Sequence, residues 1–187
     1  MSERDFTVTG SRRAFDGVIF DVDVADVVFA DGTRVERDIV RHPGAVAIVP
    51  WDAEHVYLIR QPRPAIGAPD SLELPAGLLD KDGEPPLATA KRELAEEIGM
   101  AASHWEFVVR FHPTVGVSDE LTHVFGATDL REQHADSGED ERIEIVPWPL
   151  TDLDGAIEAS SDAKTLIGLT WLRERRRGDA PPTGPPG

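Results

Sequence analysis

The stretch that most constrains this 187-residue chain is Arg92-Glu93-Leu94-Ala95-Glu96-Glu97-Ile98-Gly99, preceded by Glu84. Pro85 and Pro86 stand where proline is tolerated, at a helix start, and Gly99 stands where glycine ends a helix. Between them Leu87, Ala90, Leu94 and Ile98 recur at helical spacing and predict a buried stripe. On a wheel of about 100° per residue, Glu97 falls about 60° and Glu93 about 100° from Leu94, on the same side, and Glu96 falls about 160° away. Glu93 and Glu97 are thus neighbours one turn apart, on the shoulder of the core, where like charges repel. Such a pair calls for a cation. Arg92 is one candidate, but on the wheel it lies nearer Glu96. A divalent metal, which takes one or two carboxylates plus phosphate oxygens, is the better partner. The alternative is a solvated acidic helix face.

Around this helix the sequence alternates between β patterns and turns. Strands are predicted at 18–24, 27–29, 35–41, 44–49, 55–60, 72–74, 105–111, 121–127 and 143–146, with a hairpin turn at Ala30-Asp31-Gly32-Thr33. Residues 1–12 read as a polar arm, 131–140 as a polar loop and 178–187 as a disordered tail rich in proline and glycine. Thr151 and Asp162 are the expected N-caps of two closing helices. The pattern predicts an α+β fold, a mixed sheet between helical layers. Three segments are expected: an N-terminal arm and strands over 1–42, a main domain over 43–177 and the tail over 178–187.

Composition narrows the chemistry. There is no cysteine, which excludes disulfides, thiolate metal sites and cysteine nucleophiles. Any metal must be held by oxygen or histidine ligands. A net charge of −16 argues against non-specific nucleic-acid binding. It leaves room for a nucleotide ligand, because a bound divalent ion inverts the local field. No apolar run is long enough to cross a bilayer, and Met1 to Arg13 has no signal-peptide core. A soluble, cytoplasmic protein is expected, with no membrane partner.

From Glu84 to Met100 the chain resembles the Nudix box, written G-x5-E-x7-R-E-U-x-E-E-x-G-U with U aliphatic, at every fixed position. The glycine, Gly77, precedes Glu84 by one residue more than in that pattern, an insertion that the loop Leu78 to Gly83 can absorb. The resemblance implies the Nudix fold, with Glu93 and Glu97 as principal ligands of Mg2+ or Mn2+, Glu96 as a further ligand and the Ala76 carbonyl as another. It implies that Glu84 and Arg92 hold the box together. It also implies a general base on a loop far downstream, which points to Glu139, with Glu141 close behind.

The resemblance extends over roughly residues 15–160 and is closest to the ADP-ribose and ADP-sugar pyrophosphatase group. His42-Pro43-Gly44-Ala45-Val46-Ala47, Ile59-Arg60-Gln61-Pro62-Arg63, Leu72-Glu73-Leu74-Pro75-Ala76-Gly77 and Gly116-Val117-Ser118-Asp119-Glu120 carry it. Arg60 and Arg63 are candidate contacts for a substrate diphosphate, since guanidinium pairs well with phosphate oxygens; surface salt bridges are the alternative. Glu73 is a candidate acceptor for adenine or ribose, and Ser118 and Glu120 belong to the candidate substrate loop. His42 is read as structural.

Two departures stand in that loop. Val115 replaces the proline usual in the group, and Val117 replaces an aromatic. The implied reaction is hydrolysis of ADP-ribose to AMP and ribose 5-phosphate by a homodimer. The alternatives are another nucleoside diphosphate sugar or dinucleotide, or a non-catalytic nucleotide-binding Nudix domain.

Overall fold

The computed structural model describes residue 2, residues 4–133 and residues 142–179. The chain divides into two compact units, one comprising Met1–Ala45 with Phe111–Thr122, the other Val46–Arg110 with His123–Gly187.

The first unit is built on an antiparallel sheet in the order β1 (Phe6–Asp16), β2 (Asp21–Phe29), β3 (Arg34–Arg41). Strand β1 corrects the expected polar arm. Its Phe6-Thr7-Val8-Thr9 start alternates apolar and polar residues, but almost all its residues are exposed on both faces. It is a strand because its backbone pairs with β2 from Phe6 to Asp16, with irregularities at Thr9 and Ala14. The two strands expected over 18–29 are one, since Val24-Ala25-Asp26-Val27 runs through without a break. The hairpin turn lies where its residues predict, with Gly32 at φ 87° and the Thr33 N–H donating to the Asp31 carboxylate at 2.8 Å.

The second unit holds two sheets. One has the order β10 (Glu144–Pro149), β5 (His55–Arg63), β6 (Ala68–Glu73); the other has the order β7 (Ala76–Leu78), β4 (Ala45–Pro50), β9 (Thr122–Glu132), β8 (Met100–Phe111). Helices α1 (Pro86–Ile98), α2 (Leu153–Ala159) and α3 (Ala163–Asp179) accompany them. Side chains of a strand alternate between faces, and that parity shows the layering. Val46, Ile48, Phe125 and Ala127 share one core cluster with Ala90, Leu94 and Ile98 of α1. Residues of opposite parity meet α3: Val49 lies against Gly168, and Gly126 against Trp171. Trp51 meets Trp171 edge-on at 5.6 Å. Helices therefore cover both faces of the sheet, which is the α/β/α arrangement expected.

Two local expectations change. Leu87 is 36% exposed in the first turn of α1, and the buried face of that helix is carried by Thr89, Ala90, Leu94, Ala95 and Ile98. The cap of α2 is Asp152, not Thr151. A short 3-10 turn at Leu150–Asp152 shifts the start by one residue, and the Asp152 carboxylate accepts from the Gly155 N–H. Asp162 does cap α3, accepting from the Thr165 N–H at 3.0 Å. Among the described residues no helix is long and apolar enough to cross a membrane.

Candidate active site

Helix α1 begins with Pro86 after an extended Pro85 and ends at Gly99, whose φ of 67° is a left-handed conformation that glycine adopts without strain. These two stops set which turn carries the acidic residues. Leu94 is fully buried and anchors the face beside which Glu93 and Glu97 project.

Both of those carboxylates reach the backbone of β7. The Ala76 N–H donates to Glu97 Oε2 at 2.8 Å. At Gly77 an added Cβ would lie 2.0 Å from Glu93 Cδ and 2.2 Å from its Oε1. Glycine at this position is thus what lets the Glu93 carboxylate close on the strand. Ala76, Glu93 and Glu97, chosen from the sequence as metal ligands, come together here.

Glu96 is joined to them through Arg92. The Arg92 guanidinium donates to Glu93 Oε1 at 2.6 Å, to Glu96 Oε2 at 2.8 Å and to Glu84 Oε2 at 3.2 Å. Glu84 also accepts from the Thr89 hydroxyl, and that bond, with the Arg92 guanidinium, holds its carboxyl below the usual range despite the opposing effect of burial. One guanidinium is therefore hydrogen-bonded to three carboxylates, and that of Asp80 lies 3.9 Å away.

The donor set suits a hard divalent ion. Glu93 and Glu97 supply carboxylate oxygens one helical turn apart, beside a backbone cradle that a Cβ would fill. Among the described residues, no three His, Asp or Glu side chains form a ready-made ion cage. A cation that keeps water and substrate oxygens in its shell needs only one or two carboxylates.

A second charged cluster adjoins this one. Arg63 grips Glu73 through two parallel bonds, Nε to Oε1 at 2.7 Å and Nη2 to Oε2 at 2.8 Å. Lys164 Nζ donates to the same Oε2 at 2.8 Å. Glu73 is only 1% exposed. Burial alone would raise its carboxyl, but the Arg63 bonds and the Lys164 charge overcome that and bring it down to about 2. The charge on Arg63 is favoured first by its bonds to Glu73 and then, against burial, by the fields of Glu73, Asp162 and Glu97. Arg63 thus lies within the field of the acidic helix.

The remaining sequence-derived candidates fall as follows. Arg60 bonds Asp70 at 3.0 Å, beside Arg142 and Glu144 in a cavity of about 360 Å3. Ser118 and Glu120 lie in the first unit and bind within their own segment. Ser118 Oγ accepts from the Glu120 N–H, and Glu120 Oε1 accepts from the Thr122 hydroxyl. That segment is fastened to the end of β3 by Asp119, which accepts from the His42 N–H at 2.9 Å and from Arg41 at 3.0 Å. His42 Nδ1 accepts from the Gly44 N–H, as a turn residue does. Val115 is 84% exposed. Glu139 and Glu141 lie outside the described residues.

Lys164 was not singled out from the sequence. A signal existed. A lysine in the first turn of a helix opposes the helix dipole, so its position after the Asp162 cap calls for a compensating partner, which Glu73 supplies.

This fold, with a carboxylate helix closing on a glycine-bearing strand, is that of a Nudix protein, and the chain belongs to the NUDIX domain family, whose pattern it matches over residues 41–166. It is 44% identical over 133 residues to the ADP-ribose pyrophosphatase of Mycobacterium tuberculosis, a match covering 71% of this chain and 64% of that protein, so less than two thirds of that relative is spanned. It is 36% identical over 167 residues to the ADP-ribose pyrophosphatase of Bacillus subtilis, covering 87% of this chain and 89% of the other. Among solved structures it resembles an ADP compounds hydrolase with a TM-score of 0.84 at 25% identity, covering 96% and 98% of the two chains.

Proposed function

We propose that this chain is a metal-dependent pyrophosphohydrolase that splits the diphosphate of a nucleoside diphosphate linked to another group, with ADP-ribose the first substrate and AMP and ribose 5-phosphate the products. The observation that carries this reading is the closure of Glu93 and Glu97 on the Ala76-Gly77 backbone, within an otherwise complete family box. Two relatives named as ADP-ribose pyrophosphatases favour the substrate.

Glu93 and Glu97, with the Ala76 carbonyl and Glu96 as further ligands, hold Mg2+ or Mn2+. Bound there, the ion supplies charge neutralisation for phosphoryl oxygens and a more acidic water. Arg92 ties Glu84, Glu93 and Glu96 into one orientation, so the ligands are set before substrate arrives. Arg63 offers its Nη1 edge, the one not used on Glu73, to the diphosphate. Arg60 is a second candidate phosphate contact. Glu139, or else Glu141, takes the proton from the attacking water. Ser118 and Glu120, carried by the first unit, are further candidate substrate contacts, and Glu73 acts through Arg63 rather than on adenine or ribose.

The protein acts in the cytoplasm as a homodimer, with residues 1–42 as the dimerisation and substrate-site element, 43–177 as the catalytic domain and 178–187 as a tail. Support for the dimer comes from the first unit alone. Phe6 and Val8 at one end of the β1–β2 ladder, and Phe15, Ile19 and Phe20 at the other, are exposed apolar side chains that a partner would cover.

A second reading, a different nucleoside diphosphate sugar or a dinucleotide, is favoured by exposed Val115 and Val117, which stand where the group usually carries a proline and an aromatic residue. Incubation with ADP-ribose and magnesium tests the first reading: AMP and ribose 5-phosphate should appear in equal amounts. Tight binding without turnover would instead indicate a non-catalytic domain. A faster rate with ADP-glucose or a diadenosine polyphosphate would favour the second reading.

A further inference from the structure

We propose that Lys164 is a positioning residue: by sharing the buried Glu73 carboxylate with Arg63, it leaves the free edge of the Arg63 guanidinium available to the substrate diphosphate. This rests on the reading of Arg63 as a diphosphate contact.

The geometry is a closed set of four charges. Glu73 accepts three bonds, two from Arg63 and one from Lys164 Nζ, and Lys164 Nζ also donates to Asp162 Oδ1 at 2.9 Å. Two cations thus face two anions. The first turn of α3 is fixed to the same strand by a parallel set of bonds. Asp162 Oδ2 accepts from the Thr165 hydroxyl at 2.6 Å, and that hydroxyl accepts from the Leu74 N–H at 2.7 Å. Glu73 and Leu74 lead directly into Pro75-Ala76-Gly77, the backbone on which Glu93 and Glu97 close.

The chemistry requires the second cation. A buried carboxylate needs compensating charge. If Arg63 were its only source, the guanidinium would be neutralised by Glu73 and the set as a whole would be negative, which repels phosphate. With Lys164 present the set is balanced, and Arg63 retains attraction for an anion beside Glu97. Holding Lys164 in an unfavourable first-turn position is consistent with a role beyond helix stability. A cavity of about 280 Å3, lined by Arg63, Ser71, Glu73, Asp162 and Lys164, adjoins the set.

The test is steady-state kinetics with ADP-ribose and magnesium on the full chain. Lys164→Met should raise KM about tenfold and leave kcat within about twofold, the signature of lost uniform binding. Lys164→Arg should restore both. On an Arg63→Ala background, Lys164→Met should add nothing further. A lower melting temperature with unchanged KM would reduce Lys164 to a staple and overturn the proposal. So would a KM effect that persists fully in the Arg63→Ala background, since Lys164 would then meet substrate itself. If Arg63→Ala alone leaves KM unchanged, the diphosphate role of Arg63 fails, and the proposal with it. Lys164→Gln, which keeps a donor to Glu73 without the charge, gives the same readout should the methionine variant not fold.

Discussion

Glu73 and the glutamates of α1 are buried or half-buried carboxylates in the same unit, yet they are compensated in opposite ways. Glu73 is bonded by two cations, Arg63 and Lys164, and its carboxyl is driven down to about 2. At α1 the Arg92 guanidinium bonds Glu93, Glu96 and the preceding Glu84, and Glu97 accepts from the Ala76 N–H. The difference teaches how to separate structural from catalytic acids without a bound ligand. A carboxylate matched by side-chain cations is complete within the fold. The carboxylates of Glu93 and Glu97 instead gather at the Ala76-Gly77 backbone, where the proposed metal ion would bind.

That contrast can be broken most forcefully at α1. Glu93→Gln or Glu97→Gln should lower kcat on the order of 1,000-fold while the melting temperature holds or rises, since each removes a metal ligand and a repulsive charge. Loss of fold without loss of rate per folded molecule would erase the distinction. At the other site the expected effect is on stability. Glu73→Gln should destabilise by about 3 kcal/mol in urea unfolding, because Arg63 and Lys164 lose their shared anion. A smaller effect is expected from Gly77→Ala. The atoms nearest the added methyl are those of the flexible end of Glu93, so the carboxylate swings aside, activity falls about 100-fold for an ion misplaced by an ångström or so, and the melting temperature barely moves.

The mildest test is acid. The folded Glu73 carboxyl titrates below its ordinary 4.5, so the folded state binds fewer protons than the unfolded one near pH 4. Its contribution is complete above about pH 5 and is lost as pH falls towards 2. Wild type should lose stability across that window more steeply than Glu73→Gln, as followed by circular dichroism.

The parts of the molecule that were legible in the sequence share a physical cause. Helix α1 could be read because proline, a buried aliphatic stripe and a terminal glycine act locally, and its acidic pair follows from helical geometry. The short continuous apolar run from Gly44 to Val49 could likewise be read as a buried strand. Strand β1 could not, because its pairing is a backbone ladder and its side chains face water. Leu87 was misplaced because spacing assigns a face but not how far the core extends along a helix. The Arg63–Glu73–Lys164 set was half legible. Arg63 and Glu73 stood out as site candidates, but their partnership with each other and with a lysine about a hundred positions downstream is a tertiary fact that spacing does not carry.

The central claim is most directly tested by titrating the wild-type protein, Glu93→Gln and Glu97→Gln with Mn2+ and following free manganese by electron paramagnetic resonance. Saturable binding in the wild type, weakened at least tenfold in both variants as expected for a lost ligand, is the predicted result. Equal manganese affinity in all three proteins would contradict the account, because the ion would then be held somewhere other than at the two carboxylates that close on Ala76 and Gly77.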